Sequence, residues 1–416
     1  MHVVVVNEGM VYPPTAGNRI RTLNLMLRLA RKHRITYLCR GNGNTDSTRE
    51  ATRYLSDHGI ESLEVDDPPA RKSGPLFYGR LAANLISPSP YAVSSHNSAA
   101  VRSAIRSFAS RNAVDLWQFE WLAYADVLQD WPDTPTILMA HNIESVIWQR
   151  YHDVETNLVR KWYIRRQQRK FERTEARLFA GATRTVVVSS NDADLARRQF
   201  RARNISVVEN GIDTAFFAKA TGSRDTNRIL FLGSLDWRPN LDAVRQLLDH
   251  IFPRVVAAFP KAQLSIVGRQ PPEWLKRRIK NTAHVELHAN VEDVRPFLAE
   301  SGVMVVPLRI GGGSRLKILE AMACGLPVVS TTVGCEGLEL SPETEITVAD
   351  SCEQIAAALL RCLRDPACAA KMACQARETV LHRHDWDLLA EKLETIWFEA
   401  VDTASAEVSS LAAACP

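Results

Sequence analysis

The sequence predicts a two-domain α/β chain, on three observations. Short apolar runs of strand length alternate with amphipathic helical stretches. That alternation occurs twice, on either side of a polar, turn-rich segment, Thr221–Asn227 (TGSRDTN). At 416 residues the chain also exceeds one typical core, so two domains of roughly 150–200 residues are expected.

The first series opens with a strand at residues 3–7 and a turn-rich loop, Tyr12–Arg19. A helix follows over Ile20–Ala30, with Ile20, Leu23, Leu27 and Ala30 on one stripe, then a strand at Ile35–Cys39. The loop leaves the C-terminal edge of the first strand, where open α/β sheets bind ligands, so Gly17 and Arg19 are site candidates; a mere connecting turn is the alternative. Residues 46–90 carry a weak signal. Strands at Val114–Phe119 and Pro135–Ala140 come next, and His141 stands just past the second. A histidine there suits hydrogen-bond or proton chemistry, unless it only braces the backbone. Arg160–Arg177 holds eight Lys/Arg against Glu172 and Glu175, which reads as a solvated helix face or, with Trp162 and Tyr163, as a contact with an anionic membrane surface. A strand at Thr185–Ser189, a helix at Asn191–Arg198 and a strand at Ile205–Val208 close the series.

The second series has strands at Arg228–Leu232, Gln263–Val267, Val285–His288, Met304–Leu308 and Val328–Thr331. Asn240 is expected to cap a helix through His250, and another helix covers Asp293–Ala299. The last helix runs Trp386–Ala400, with a frayed tail after Val401. The expected units are 1–220, 221–385 and a returning helix with tail, 386–416.

Bulk properties narrow the function classes. An apolar content of 46%, a charged content of 24% and a net charge of +4 are those of an ordinary soluble protein, and nucleic acid is not an expected partner. No run reaches membrane-span length, and Met1–Val6 lacks a secretory signal's basic flank and cleavage site. The eight cysteines have no C-x-x-C spacing. A cytoplasmic, reduced protein is expected, at the inner face of the membrane if the basic helix docks there.

Chemistry concentrates after Met304–Leu308. Gly311, Gly312 and Gly313 form a loop without Cβ atoms, Ser314 can cap a helix, and Arg315, Leu316 and Lys317 fall in its first turn. Helix-start amides and two cations suit a diphosphate. Glu320 shares a helical face with Leu316 and Cys324, so its carboxylate should be at least half buried, where a ribose diol could supply donors. The competing reading is a structural Glu320–Lys317 pair. No P-loop or GxGxxG is present.

GGGSRLKILEAMACGLPVV resembles the C-terminal signature of the glycosyltransferase group 1 family. Ordered supporting matches are PPTAGNRIR, AHNIES, VVVSSNDADLA, VVENGIDTAFF, FLGSLDWRPNLDAV, SIVG, VEDVRPFLAESGVMVVPL and HDWDLLAEKL. The resemblance implies the GT-B fold, two Rossmann-like domains facing across a cleft, with the final helix crossing back onto the first. It implies a nucleotide-sugar donor held by Glu320 on ribose and by Arg315 and Lys317 on diphosphate, with His141 near the sugar. Gly233, Ser234, Asn240, Gly268, Gly312, Gly313 and Ser314 fall on donor-binding segments. Two departures stand out. Gly312 replaces a frequent glutamate, and Gly233-Ser234 and Pro239-Asn240 stand where relatives carry Arg and Lys.

The expected reaction is glycosyl transfer with retention to a hydroxyl, without a metal or other cofactor, since cations and amides neutralise the departing diphosphate. A glycan or glycolipid acceptor is expected. A sugar-nucleotide epimerase and a catalytically silent nucleotide-sugar-binding scaffold are the alternatives.

Overall fold

The computed structural model describes residues 1–14, 16–41, 45–68, 73–126, 134–218, 222–310 and 316–414, with side chains through residue 406. The chain divides into two compact units, Met1–Glu209 with Trp386–Pro416, and Asn210–Asp385.

The first unit is built on a seven-stranded parallel sheet. Its strands are β1 (His2–Asn7), β2 (Arg34–Gly41), β3 (Ile60–Asp66), β4 (Leu116–Phe119), β5 (Thr136–Ala140), β6 (Arg184–Val187) and β7 (Ile205–Val207), in the order β3-β2-β1-β4-β5-β6-β7. Both faces are covered, so β1 and β4 are buried along their whole lengths and read as near-continuous apolar runs. The second unit repeats the plan with β8 (Asp225–Leu232), β9 (Gln263–Gly268), β10 (Val285–Ala289), β11 (Ser301–Val306), β12 (Val328–Ser330) and β13 (Thr347–Val348), ordered β10-β9-β8-β11-β12-β13. In each sheet the strand order reverses once, between β1 and β4 and between β8 and β11. Loops leaving the C-terminal ends of those strands open the crevice where such sheets take ligands.

Several expectations need correction. The unit boundary falls at Glu209/Asn210, earlier than Thr221, because Ile212 bridges to Asp385 and Phe217 is buried in the second core. The final helix does not end at Ala400 but continues to Ala414. It packs on the first helix, Gly17–Leu29, through ion pairs Arg28–Asp387 (2.9 Å) and Lys32–Glu394 (2.8 Å). The first helix buries Arg21, Thr22, Leu23, Leu25, Met26 and Leu29, so of the expected stripe Leu23 is buried while Ile20, Leu27 and Ala30 are half-buried. Arg21 and Thr22 tolerate burial because partners await them: Arg21 donates to the carbonyls of Val208 (2.7 Å) and Glu209, and Thr22 to Glu120 (2.6 Å). Residues 46–90, weak in sequence, hold the helix Asp46–Asp57, β3 and the helix Pro75–Asn84, whose only buried residue is Asn84.

Candidate functional site

In the second unit the site residues gather around the exits of β8 and β9. A Cβ on Gly268 would lie 2.1 Å from the Gly233 carbonyl oxygen, and one on Gly233 would lie 2.9 Å from the Asn240 amide. Neither position has room for a side chain, because the two strand ends and the next helix converge there. Gly268→Ala is therefore expected to destabilise the protein by about 1–3 kcal/mol, read as a lower denaturant midpoint.

Asn240 does not cap its helix. The helix spans Arg238–Gln246 with Trp237 at the N-cap, placing Asn240 inside the first turn and almost wholly buried. There its amide nitrogen donates to the Ser234 carbonyl (2.8 Å), closing the β8 loop, and its oxygen accepts from Lys317 Nζ (3.1 Å). Lys317 also donates to the Leu232 carbonyl (2.8 Å) and lies over the Phe231 ring, 5.1 Å from its centroid. These acceptors fix the ammonium at the strand exit. One residue missed by the sequence reading is Arg269, directly after Gly268, whose Nε donates to Ser234 Oγ (2.7 Å). Its place beside a strand-ending glycine was the available signal.

Leu316 opens the helix Leu316–Ala323, which ends at Gly325 in a left-handed conformation (φ +63°). Lys317 and Glu320 stand one turn apart on it. Glu320 is half-buried, and its carboxylate has no hydrogen bond or ion pair among the described residues. Burial pushes its pKa up to about 7, with Lys317 pulling it back. The Glu320–Lys317 ion pair of the competing reading does not form, since Lys317 is turned to Leu232 and Asn240 instead. Gly311, Gly312, Gly313, Ser314 and Arg315 lie outside the described residues.

The first unit gathers a second polar cluster past β4 and β5. His141 Nε2 is 3.0 Å from Glu120 Oε2, with the two side chains 13% and 1% exposed. Burial works to raise the Glu120 pKa, but hydrogen bonds from His141, Thr22 and Gln118 outweigh it and hold the group below the usual carboxylate range. An ionised carboxylate only accepts, so His141 meets it with an Nε2–H. Gln118 Nε2 donates to Glu120 Oε1 (2.6 Å), and Trp397 Nε1 donates to Gln118 Oε1 (2.8 Å). An indole N–H can only donate, so Trp397 fixes which end of Gln118 faces Glu120. A chain of buried bonds thus runs from the last helix to His141. Sequence reading found His141 and missed Glu120, which sits inside an apolar stretch. The helix after His141, Glu144–Val154, is capped from outside, its first amides (Glu144 and Ser145) donating to the Glu175 carboxylate. Gly17 is the exposed first residue of its helix, and Arg19 is half-buried with Nη2 close to Gly9 in the loop after β1.

Residues 17–216 match the family described as Glycosyltransferase Family 4, and residues 226–365 match Glycosyl transferases group 1. The chain belongs to this glycosyltransferase family. Among curated glycosyltransferases, a phosphatidyl-myo-inositol mannosyltransferase of Mycolicibacterium smegmatis is 31% identical over 53% of this chain and 59% of its own length. A GDP-mannose-dependent monoacylated alpha-(1-6)-phosphatidylinositol monomannoside mannosyltransferase of Corynebacterium glutamicum is 29% identical over 45% of this chain and 54% of its own. Both alignments thus span less than two thirds of those relatives. The GT-B fold of this glycosyltransferase is shared with a sucrose-phosphate synthase from Thermosynechococcus elongatus, at TM-score 0.72 and 18% identity over 97% of this chain and 100% of the other.

Proposed function

We propose that this glycosyltransferase moves a sugar from a nucleoside diphosphate sugar to a hydroxyl of a lipid-linked or cell-surface glycan acceptor, with retention and without a metal. The observation that carries the reading is Glu320: a half-buried carboxylate without a hydrogen-bond partner among the described residues, one turn from a positioned ammonium, at the C-terminal edge of a Rossmann-like sheet. A ribose diol supplies the two donors that such a carboxylate lacks, and Lys317 supplies positive charge for the adjoining diphosphate. As the anomeric C–O bond to the diphosphate breaks, negative charge grows on that leaving group, and cations already in place there stabilise the transition state more than the bound donor. Arg315, Gly312 and Gly313 extend the same cradle by sequence. The acceptor oxygen bonds to the anomeric carbon as the C–O bond to the diphosphate breaks, and its proton passes to the departing diphosphate oxygen. His141, backed by Glu120, is the polar side chain assigned to the transferred sugar. The glycolipid acceptor is supported by the printed names of the two mannosyltransferases and by the surface described below.

The test is a thermal-shift screen against UDP-, GDP-, ADP- and dTDP-sugars, with GDP-mannose first. One donor at a hundredfold excess over its Kd should raise Tm by about 5–10 °C, and that donor alone should be hydrolysed slowly without acceptor. No shift with any nucleotide overturns the proposal. A shift without hydrolysis or transfer leaves a binding protein instead.

A further inference from the structure

Among the described residues, large apolar side chains more than half exposed number six: Leu76, Tyr78, Ile86, Leu158, Val159 and Trp162. All six come from two segments of the first unit, residues 75–86 and the start of the helix Leu158–Gly181. Single exposed leucines are ordinary, but this concentration is not. The segments are clamped together. Arg166 donates through Nε (2.9 Å) and Nη2 (2.6 Å) to the Leu85 carbonyl, and Gln167 Nε2 donates to Asn84 Oδ1 (3.0 Å), beside Ile86. Leu158, Trp162 and Arg166 are spaced by four, one stripe of the helix leading to that clamp.

The charge around these side chains is mostly basic, with Glu155 just before the start of the helix the exception. Residues 73–90 contain Arg80 and no acid, and residues 156–171 contain six Lys/Arg and no acid. Arg160, Arg165 and Arg169 are exposed there. Basic side chains ringing exposed apolar tips match a lipid headgroup layer, which takes both kinds of group: aromatic and aliphatic tips at the acyl boundary, guanidinium and ammonium groups among phosphates. We propose that this face docks the protein on an anionic lipid bilayer. No described helix is long and apolar enough to cross a membrane, so the contact is peripheral. The inference rests on the glycolipid-acceptor reading for its purpose, but its test needs neither donor nor acceptor.

The full chain is sedimented with vesicles of phosphatidylcholine alone or mixed with phosphatidylglycerol. Wild type should partition onto the mixed vesicles and leave them as salt rises. Arg160→Gln/Arg165→Gln/Arg169→Gln should weaken partitioning about a hundredfold, near fivefold per charge. Ile86→Ser/Trp162→Ser should weaken it about tenfold or more while the nucleotide-induced thermal shift stays as in wild type. A wild type that stays off phosphatidylglycerol vesicles at low salt, or variants that bind as well as wild type, would overturn the inference, including the case where the patch serves a protein partner. Loss of the nucleotide shift with vesicle binding intact would instead count against the donor reading alone.

Discussion

Lys317→Ala should lower donor turnover by about two to three decades while the fold survives. Lys317 places its ammonium through Leu232 and Asn240, so the charge stands at the strand exit before any donor arrives. Such preorganised charge acts on the diphosphate as its bond to the sugar breaks, and the loss should therefore appear in kcat. Loss confined to KM, or near-native turnover in soluble, cooperatively melting protein, would remove the residue from the mechanism. Glu320 gives a second signature, opposite in sign for stability and binding. Its folded pKa, about 7, exceeds the usual carboxylate value, so the folded chain holds that proton more tightly than the unfolded chain. Stability from this group is complete at low pH, falls as pH rises toward 7, and stays reduced above it. Glu320→Gln should consequently match wild type near pH 4.5 yet melt about 2–4 °C higher at pH 8. Donor affinity should do the reverse. Ribose hydroxyls need the ionised form, so wild-type affinity climbs about tenfold per pH unit up to 7 and then levels. The glutamine variant should be flat with pH and about ten- to a hundredfold weaker at pH 8. Titrating nucleotide into both proteins across that range decides it.

How far the sequence could be read depended on whether a residue's role was set locally. Strands β1 and β11 and the second half of β8 announced themselves because burial on both faces demands unbroken apolar runs. The burial of Glu320 followed from helical periodicity alone. Arg21 and Thr22 went unread because a buried polar residue is licensed by partners at Val208 and Glu120, far along the chain. Asn240 failed as a cap for a related reason. Pro239 starts the helix from inside its first turn, which frees the amide to join Ser234 and Lys317. The exposed apolar helix Pro75–Asn84 defeated periodicity outright, since its apolar residues are turned away from the core.

Glu120→Gln tests the polar cluster of the first unit, and the expected loss is about a hundredfold in kcat with donor KM nearly unchanged. The present carboxylate accepts three bonds, from Thr22 and His141 on Oε2 and from Gln118 on Oε1. An amide offers one accepting end. If its oxygen serves Gln118, whose orientation Trp397 holds, its NH2 faces His141 Nε2 and drives the ring proton to Nδ1. If it turns over, two NH2 groups meet in a buried site. The first arrangement removes the Nε2–H tautomer, the second keeps it at the cost of two opposed NH2 groups, and both remove the negative charge that favours it. Glu120 acts through His141 as a positioning residue, so ring-nitrogen NMR should report the tautomer change directly. Trp397→Phe, which deletes the donor that orients Gln118 together with part of a buried ring, should move the same signals with a milder loss, near tenfold. A Glu120→Gln enzyme with native kcat and an unmoved His141 spectrum would reduce the buried chain from Trp397 to packing alone.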